Sequence, residues 1–282
     1  MRIRIEHETR YVYEEPVRAL LQVLRMTPRG HVGQHVLRWR IEPSIEGALR
    51  AGEDPLGNIV HHFAADAGAD GLVVRVRGEV ETDDTAGVVR GAIERAPDLY
   101  WLRETRLTQA SDAIRDFAES VAGASRADPL TALHRLNDAI HARVAFDTKP
   151  TSAATSAAEA FALGRGVCQD LAHVFIASAR HFGIPARYVS GYLCRADGIV
   201  EQEAAHAWAE AKVDRLGWVA FDPAHGLCAT PAHVRVAVGL DYLGAAPIRG
   251  SRYGGGAETL EVRIAVAEPS PRGDQSQSQS QA

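Results

Sequence analysis

The sequence has few of the features by which secreted scaffolds, nucleic-acid binders and membrane proteins are recognised. Three of its 282 residues are cysteines and they form no CxxC pair, so we expect neither a disulfide framework nor a zinc site of the usual ligand spacing. The net charge of −5 argues against a nucleic-acid or anionic-membrane partner, because binding to phosphates requires basic clusters. No segment approaches the roughly 20 apolar residues that cross a bilayer, and no apolar signal-peptide segment is seen. We therefore expect a cytoplasmic protein with no membrane partner.

What the sequence does contain is typical of a globular protein with two parts. Apolar residues make up 46% of the chain and charged residues 24%. Residues 1–85 contain short β-branched runs bounded by turn residues, which predict an antiparallel, β-rich N-terminal domain. From residue 86 the apolar spacing becomes helical, and we assign residues 86–268 to a second domain. The Ser/Gln-rich tail over 269–282 is predicted to be disordered.

The second domain is predicted to be α+β. Apolar spacing predicts helices over 111–121 and 129–144, and in the first of these we expect Ala113, Phe117 and Val121 to form one stripe. A polar segment rich in small residues, over 147–166, is predicted to be a loop. Four later segments are predicted to be strands, over 186–194, 204–213, 217–222 and 259–267.

A cysteine follows two glycines at the start of the clearest helix, which is predicted over 167–182 and ends at Gly183 and Pro185. The first turn of a helix presents free N–H groups and partial positive charge, which favour a thiolate and can stabilise an oxyanion. Cys168 is therefore a candidate nucleophile. The alternative is a small buried core residue, the usual role of a free cysteine. Cys194 and Cys228 have no such setting, and we expect both to be inert.

A histidine and an aspartate on two successive strands complete a candidate catalytic set. In the segment AAHAWAEAKV the alanines fall on one face and His206, Trp208 and Glu210 on the other, which we expect to be the more open face. Asp222 ends the next strand, where a carboxylate can orient a histidine. Taken alone, His206 also fits a surface strand and Asp222 a turn. Together with Cys168 they form a nucleophile, a base and an orienting group.

The hairpin between these strands sets a condition on the site. A tight turn on residues 214–217 would pair Val213 with Trp218 and would put Asp222 on the face opposite His206. A common site therefore requires a register shifted by one residue, with Trp208 opposite Asp222, or a β-bulge of equal effect.

Three segments, GRGVCQDLAHVFIASARHFGIPARYVSGYL, AAHAWAEAKV and GWVAFDP, make the sequence resemble the transglutaminase-like superfamily. Specifically, it resembles the bacterial transglutaminase-like proteins that are described as cysteine peptidases and carry an N-terminal β accessory domain. The resemblance implies a papain-like core, with the cysteine on a helix packed on an antiparallel sheet, and a catalytic triad of Cys168, His206 and Asp222. Gln169 stands where animal transglutaminases typically carry Trp, which weakens transfer of their substrate preference. No acidic loop of calcium-binding type is seen, and no cofactor or metal is implied.

The expected activity is hydrolysis of an amide bond in a peptide or protein substrate through a thioester. Two alternatives stay open. One is a transglutaminase or amide ligase, which would pass the same acyl group to an amine. The other is a non-catalytic binding module on the same fold, although the filled triad positions argue against it. The sequence names neither the substrate nor the oligomeric state.

Overall fold

The computed structural model describes residues 1–149 and 151–269, so the predicted disordered tail lies outside the described residues except for Pro269. Its strands are β1 (Arg2–Thr27), β2 (Gln34–Pro43), β3 (Ala48–Glu53), β4 (Ile59–Thr82), β5 (Val88–Val89), β6 (Ala145–Phe146), β7 (Arg165–Gly166), β8 (Ala186–Leu193), β9 (Glu201–Gln202), β10 (His206–Val213), β11 (Gly217–Asp222), β12 (Leu227–Cys228), β13 (His233–Gly239), β14 (Ile248–Gly254) and β15 (Glu258–Ala267). Its α-helices are α1 (Asp98–Trp101), α2 (Asp112–Ala122), α3 (Pro129–Arg143), α4 (Ala157–Leu163), α5 (Cys168–His181) and α6 (Tyr242–Ala245). Within the described ranges, none of these helices is long and apolar enough to cross a membrane.

The N-terminal part is β-rich, as predicted. The long strands β1 and β4 run antiparallel, from the Arg2–Glu81 pair to the Thr27–Ile59 pair, with register shifts along the way. β2 and β3 flank β4, and β14 and β15 flank β1. β15, which the prediction places in the second domain with residues 86–268, pairs with β1 and also with β9. Strand patterning gives the presence of a strand but not its partner.

The second sheet has the strand order β12-β11-β10-β8-β13, and β5 pairs with β11. α5 packs on one face of this sheet, and the alanines of β10 are buried in the same apolar cluster as Ala172 and Phe175 of α5. The predicted α+β arrangement is therefore confirmed, with a helix-borne cysteine on an antiparallel sheet.

The opposite face of β10 is not the open face that was expected. Trp208 is 2% exposed and Glu210 is fully buried. Trp208 belongs to an apolar cluster with Trp101 and Trp218, and Trp101 comes from α1. The prediction was wrong because the sequence pattern of one strand does not show which distant segment covers it.

The helices largely follow the prediction. α5 begins at Cys168, where the Asp170 carboxylate accepts the Val167 N–H at 2.8 Å, and Gly183 follows the helix with a φ of +73°. In α2 the buried stripe lies one position later than expected, at Ile114, Ala118 and Ala122, because Phe117 and Val121 only border the core.

Three helices were missed: the four-residue α1 and α6, and the longer α4. The predicted loop over 147–166 contains α4, in which the Ser156 hydroxyl and the Glu159 carboxylate cap each other's backbone N–H groups. This capping box is a sequence signal that the abundance of small residues obscured.

The hairpin of β10 and β11 has the shifted register that a common site requires. Val213 pairs with Gly217, and Ala209 pairs with Phe221. The connection therefore has three residues, in which Arg215 takes a positive φ of 68°. Residue 208 consequently lies opposite residue 222, and the one-residue shift is confirmed.

Candidate active site

Cys168 opens α5 and lies against β10. Its sulfur accepts hydrogen bonds from two backbone N–H groups, that of Ala207, next to His206, and that of Gln169, in the first turn of the helix. The residue is partly accessible to solvent. Gly166, just before it, is packed against Asp170, because a Cβ there would lie 2.6 Å from the Asp170 Oδ2. The glycine therefore permits the close approach of the strand to the helix start.

The thiol pKa moves opposite to the expectation from the helix start. Burial of the sulfur, aided by the negative charge of Asp222, raises the pKa of Cys168 to about 12. The two backbone N–H groups act in the other direction and are outweighed. Burial also raises the pKa of Cys194 and of Cys228. In this arrangement Cys168 carries a neutral thiol, which needs a nearby base before it can attack a carbonyl.

His206 and Asp222 are brought together. The His206 Nε2 lies 2.7 Å from the Asp222 Oδ2, with His206 8% exposed and Asp222 fully buried. Burial lowers the pKa of His206, and the hydrogen bond to Asp222 only partly offsets it. Burial alone would raise the pKa of Asp222, yet hydrogen bonds from His206, His225 and His233 hold it well below its usual range. The ground state is a neutral imidazole beside a carboxylate.

Only one ring nitrogen of His206 is free to accept a proton from the Cys168 thiol. Nε2 is engaged with Asp222, so Nδ1 is the nitrogen left to act on the thiol. Among the described residues no hydrogen bond joins Cys168 to His206. The two are linked through Ala207, whose N–H reaches the thiol.

Two further histidines at the site were missed from the sequence. His225 Nδ1 lies 2.8 Å from the Asp222 Oδ2, and His233 Nε2 lies 3.1 Å from the same oxygen. The Asp222 Oδ1 accepts the Ala224 N–H at 3.0 Å. The spacing of Asp222 and His225, three residues apart after a strand end, was a local signal for the first of these contacts. His233 comes from β13, and no local signal indicates it.

The tautomer of His233 follows from its contacts. The backbone N–H of Thr230 donates to its Nδ1 at 3.1 Å, so Nδ1 is unprotonated and Nε2 carries the proton that is donated to Asp222. His233 is therefore a fixed donor that holds the carboxylate from the side of β13.

Comparisons with known proteins agree with this architecture. Residues 115–223 match the model of the transglutaminase-like superfamily, and residues 3–81 match that of the bacterial transglutaminase-like N-terminal region. An uncharacterized protein of Mycobacterium leprae is 30% identical, over 94% of this chain and 98% of its own. One of Mycobacterium tuberculosis is 27% identical, over 89% and 88%. The crystal structure of a candidate cysteine protease from Cytophaga hutchinsonii superposes with a TM-score of 0.73 at 21% identity, over 96% of this chain and 92% of that chain.

A cysteine at a helix start, packed on an antiparallel sheet whose neighbouring strands carry a histidine and an aspartate, is the arrangement of the papain-like α+β class. Within that class, the chain belongs to the transglutaminase-like superfamily and carries the bacterial N-terminal region.

Proposed function

We propose that the protein is a cysteine-dependent hydrolase of amide bonds in peptide-like substrates, with Cys168 as nucleophile, His206 as base and Asp222 as the orienting carboxylate. The observation that carries this proposal is the buried 2.7 Å hydrogen bond between His206 and Asp222, beside the helix start at Cys168. A base held by a buried carboxylate next to a neutral thiol is the arrangement that nucleophilic catalysis requires.

The reaction begins when the Cys168 sulfur attacks the amide carbonyl and its proton moves to the Nδ1 of His206. The free N–H groups in the first turn of α5 would stabilise the oxyanion. The tetrahedral intermediate collapses, the C–N bond breaks, and His206 returns the proton to the leaving amine. Water then attacks the thioester while His206 accepts its proton, and the acid and the free thiol are released.

Asp222 keeps the imidazole in the productive tautomer. It accepts the proton-bearing Nε2 of His206, so Nδ1 stays free to receive the proton of the thiol. The imidazolium that forms is stabilised by the carboxylate, whose low pKa keeps it ionised. His225 and His233 hold the same oxygen and so fix the carboxylate in place.

Water, rather than an amine, is proposed as the acyl acceptor. A transferase must hold an amine and exclude water, usually in an apolar channel. Trp208 and Trp218, the tryptophans of the core motifs, are 2% and 4% exposed and pack with Trp101. They are therefore unavailable to line such a channel, which favours hydrolysis over transfer to an amine.

A partition experiment tests this choice. An acyl donor is supplied with rising concentrations of a primary amine, and both products are measured. Hydrolysis predicts free acid as the main product even at millimolar amine. Amide product that saturates at low amine, with acid formation suppressed, would mean that an acceptor site exists. The Cys168→Ser variant is the control, because it should form neither product above background.

A further inference from the structure

We propose that His206, Asp222 and His225 form a binding site for a divalent transition metal ion such as Zn²⁺, which blocks the enzyme reversibly by taking the Nε2 of His206. The binding part of this inference stands on the geometry alone, and the blocking part rests on the proposed function.

The three ligand atoms are already close together. One ring nitrogen each of His206 and His225 and one carboxylate oxygen of Asp222 lie within 4.8 Å of one another. Both nitrogens are hydrogen-bonded to the same oxygen, at 2.7 and 2.8 Å. Ligands of a tetrahedral zinc ion are about 3.4 Å apart, as follows from Zn–N and Zn–O bonds of about 2.1 Å. A small outward movement of His225 would therefore admit the ion.

The donor set suits zinc. Two imidazole nitrogens and one carboxylate oxygen, with water in the fourth position, make up a common three-ligand zinc site. His233 donates to the same Asp222 oxygen and the backbone N–H of Ala224 donates to the other, so the carboxylate ligand is oriented by its surroundings. Such outer contacts strengthen metal sites. The triad requires only one of the three histidines that contact Asp222. Of the other two, His225 is available as a metal ligand and His233 orients the carboxylate.

Access comes from His225. Its side chain is 43% exposed, whereas Asp222 is fully buried. An ion can therefore bind His225 from solvent and exchange the two N–H···O hydrogen bonds for coordination bonds. Cys168 is not among these ligands.

Coordination changes the chemistry of His206 without any redox step. Its Nε2 loses the proton now donated to Asp222, and in the neutral ring that proton moves to Nδ1. Nδ1 then carries hydrogen and cannot accept the thiol proton of Cys168. The metal thus prevents His206 from acting as a base, because it holds the ring in the tautomer that is protonated on Nδ1. Removal of the metal restores activity.

The test is zinc binding to the untagged full-length chain, measured by competition with a chromogenic chelator. A Cys168→Ser background removes both activity and the thiol as a ligand. In this background we expect one zinc ion per chain. His225→Ala and His225→Gln should each weaken binding at least tenfold, given the 10- to 100-fold effect of lesser contacts at metal sites. His225→Gln is the more informative of the two, because its amide can still donate to Asp222. His62→Ala, at an exposed position of β4, is the matched control and should leave binding unchanged.

Three results would overturn the proposal. They are no stoichiometric binding, binding in both His225 variants that is as strong as in the Cys168→Ser parent, or, with Cys168 intact, Co²⁺ spectra with a thiolate charge-transfer band that Cys168→Ser abolishes. In the chain with Cys168 intact, zinc should inhibit substrate turnover and a chelator should reverse the inhibition. If the chain binds zinc through His225 but has no hydrolase activity, the proposed function fails and the site survives. If it hydrolyses amides but does not bind zinc, the site fails alone.

Discussion

His206 and Asp222 share a 2.7 Å hydrogen bond across two neighbouring strands, and a three-residue connection makes it possible. With one more residue in that connection, the pairing would slip and Asp222 would leave the face of His206. The local turn at Arg215, with its positive φ, thus determines whether the site forms.

Replacing Asp222 with Asn should lower kcat by roughly 10³- to 10⁴-fold, as at comparable triads, because the amide no longer favours the productive tautomer of His206. Steady-state kinetics on a peptide amide measure this effect. Asp197→Asn, at an exposed turn that pairs with Arg195, is the control and should keep near-normal rates. A loss of less than tenfold in Asp222→Asn, with the fold intact by circular dichroism, would contradict the assigned role.

Alkylation of Cys168 by iodoacetamide should accelerate about tenfold per pH unit from pH 6 to pH 9, without a plateau. The reason is that burial raises the pKa of its thiol to about 12, so the reactive thiolate is a small fraction that grows with pH. Peptide mapping after limited labelling gives the rate at each cysteine separately. A rate that is already high and constant from pH 5 upward would indicate a resting thiolate–imidazolium pair instead.

His173 should make the protein less stable in acid. Burial lowers the pKa of this histidine to about 3, whereas in the unfolded chain it is about 6.5. The unfolded state therefore binds the extra proton, and stability is lost as the pH falls below 6.5. Between pH 6.5 and 4.5 the free energy of unfolding should fall by roughly 2–3 kcal/mol from this histidine alone.

Urea unfolding at the two pH values measures this effect. In His173→Gln the amide oxygen can still accept the N–H of Tyr242, now bound by the imidazole at 3.0 Å, but it does not titrate. Over this pH range we expect the free energy of unfolding of the variant to fall by about 2 kcal/mol less than that of the wild type. An equal loss in both proteins would show that His173 does not contribute.

Glu210 should be far more important to stability than a surface carboxylate. It is fully buried between Arg187 and Arg235, at 2.6 and 2.7 Å, and these guanidinium groups hold its pKa at about 2 against the effect of burial. Glu210→Gln leaves the buried Arg187 without its closest charge and should cost roughly 3–5 kcal/mol. Glu261→Gln, which breaks an exposed pair with Arg263, should lower the free energy of unfolding far less than Glu210→Gln does. Similar costs for the two, by urea unfolding, would contradict this difference.

Much of the architecture could be predicted because its signals are local. Gly183 and Pro185 mark the end of α5, and the alternation in β10 identifies the small face that packs on that helix. Counting residues between His206 and Asp222 showed that a common site requires a register shifted by one residue or a β-bulge, and the structure has the shift. Each of these inferences uses only neighbours in sequence.

The rest depends on segments that are distant in sequence. His233 reaches Asp222 from β13, and β15 returns to β1 across more than 240 residues, yet neither pairing is encoded in the segment itself. The thiol pKa of Cys168 was expected to fall, because the helix start is visible in the sequence. The burial that raises it depends on the packed structure around the sulfur.

Intact-mass analysis of the protein after acid quench, following exposure to a panel of peptide amides, tests the central claim most directly. The account predicts a covalent acyl adduct that maps to Cys168, is absent in Cys168→Ser, and disappears with time as the free acid is released. An adduct that maps to Cys194 or Cys228, or one that persists in Cys168→Ser, would contradict it.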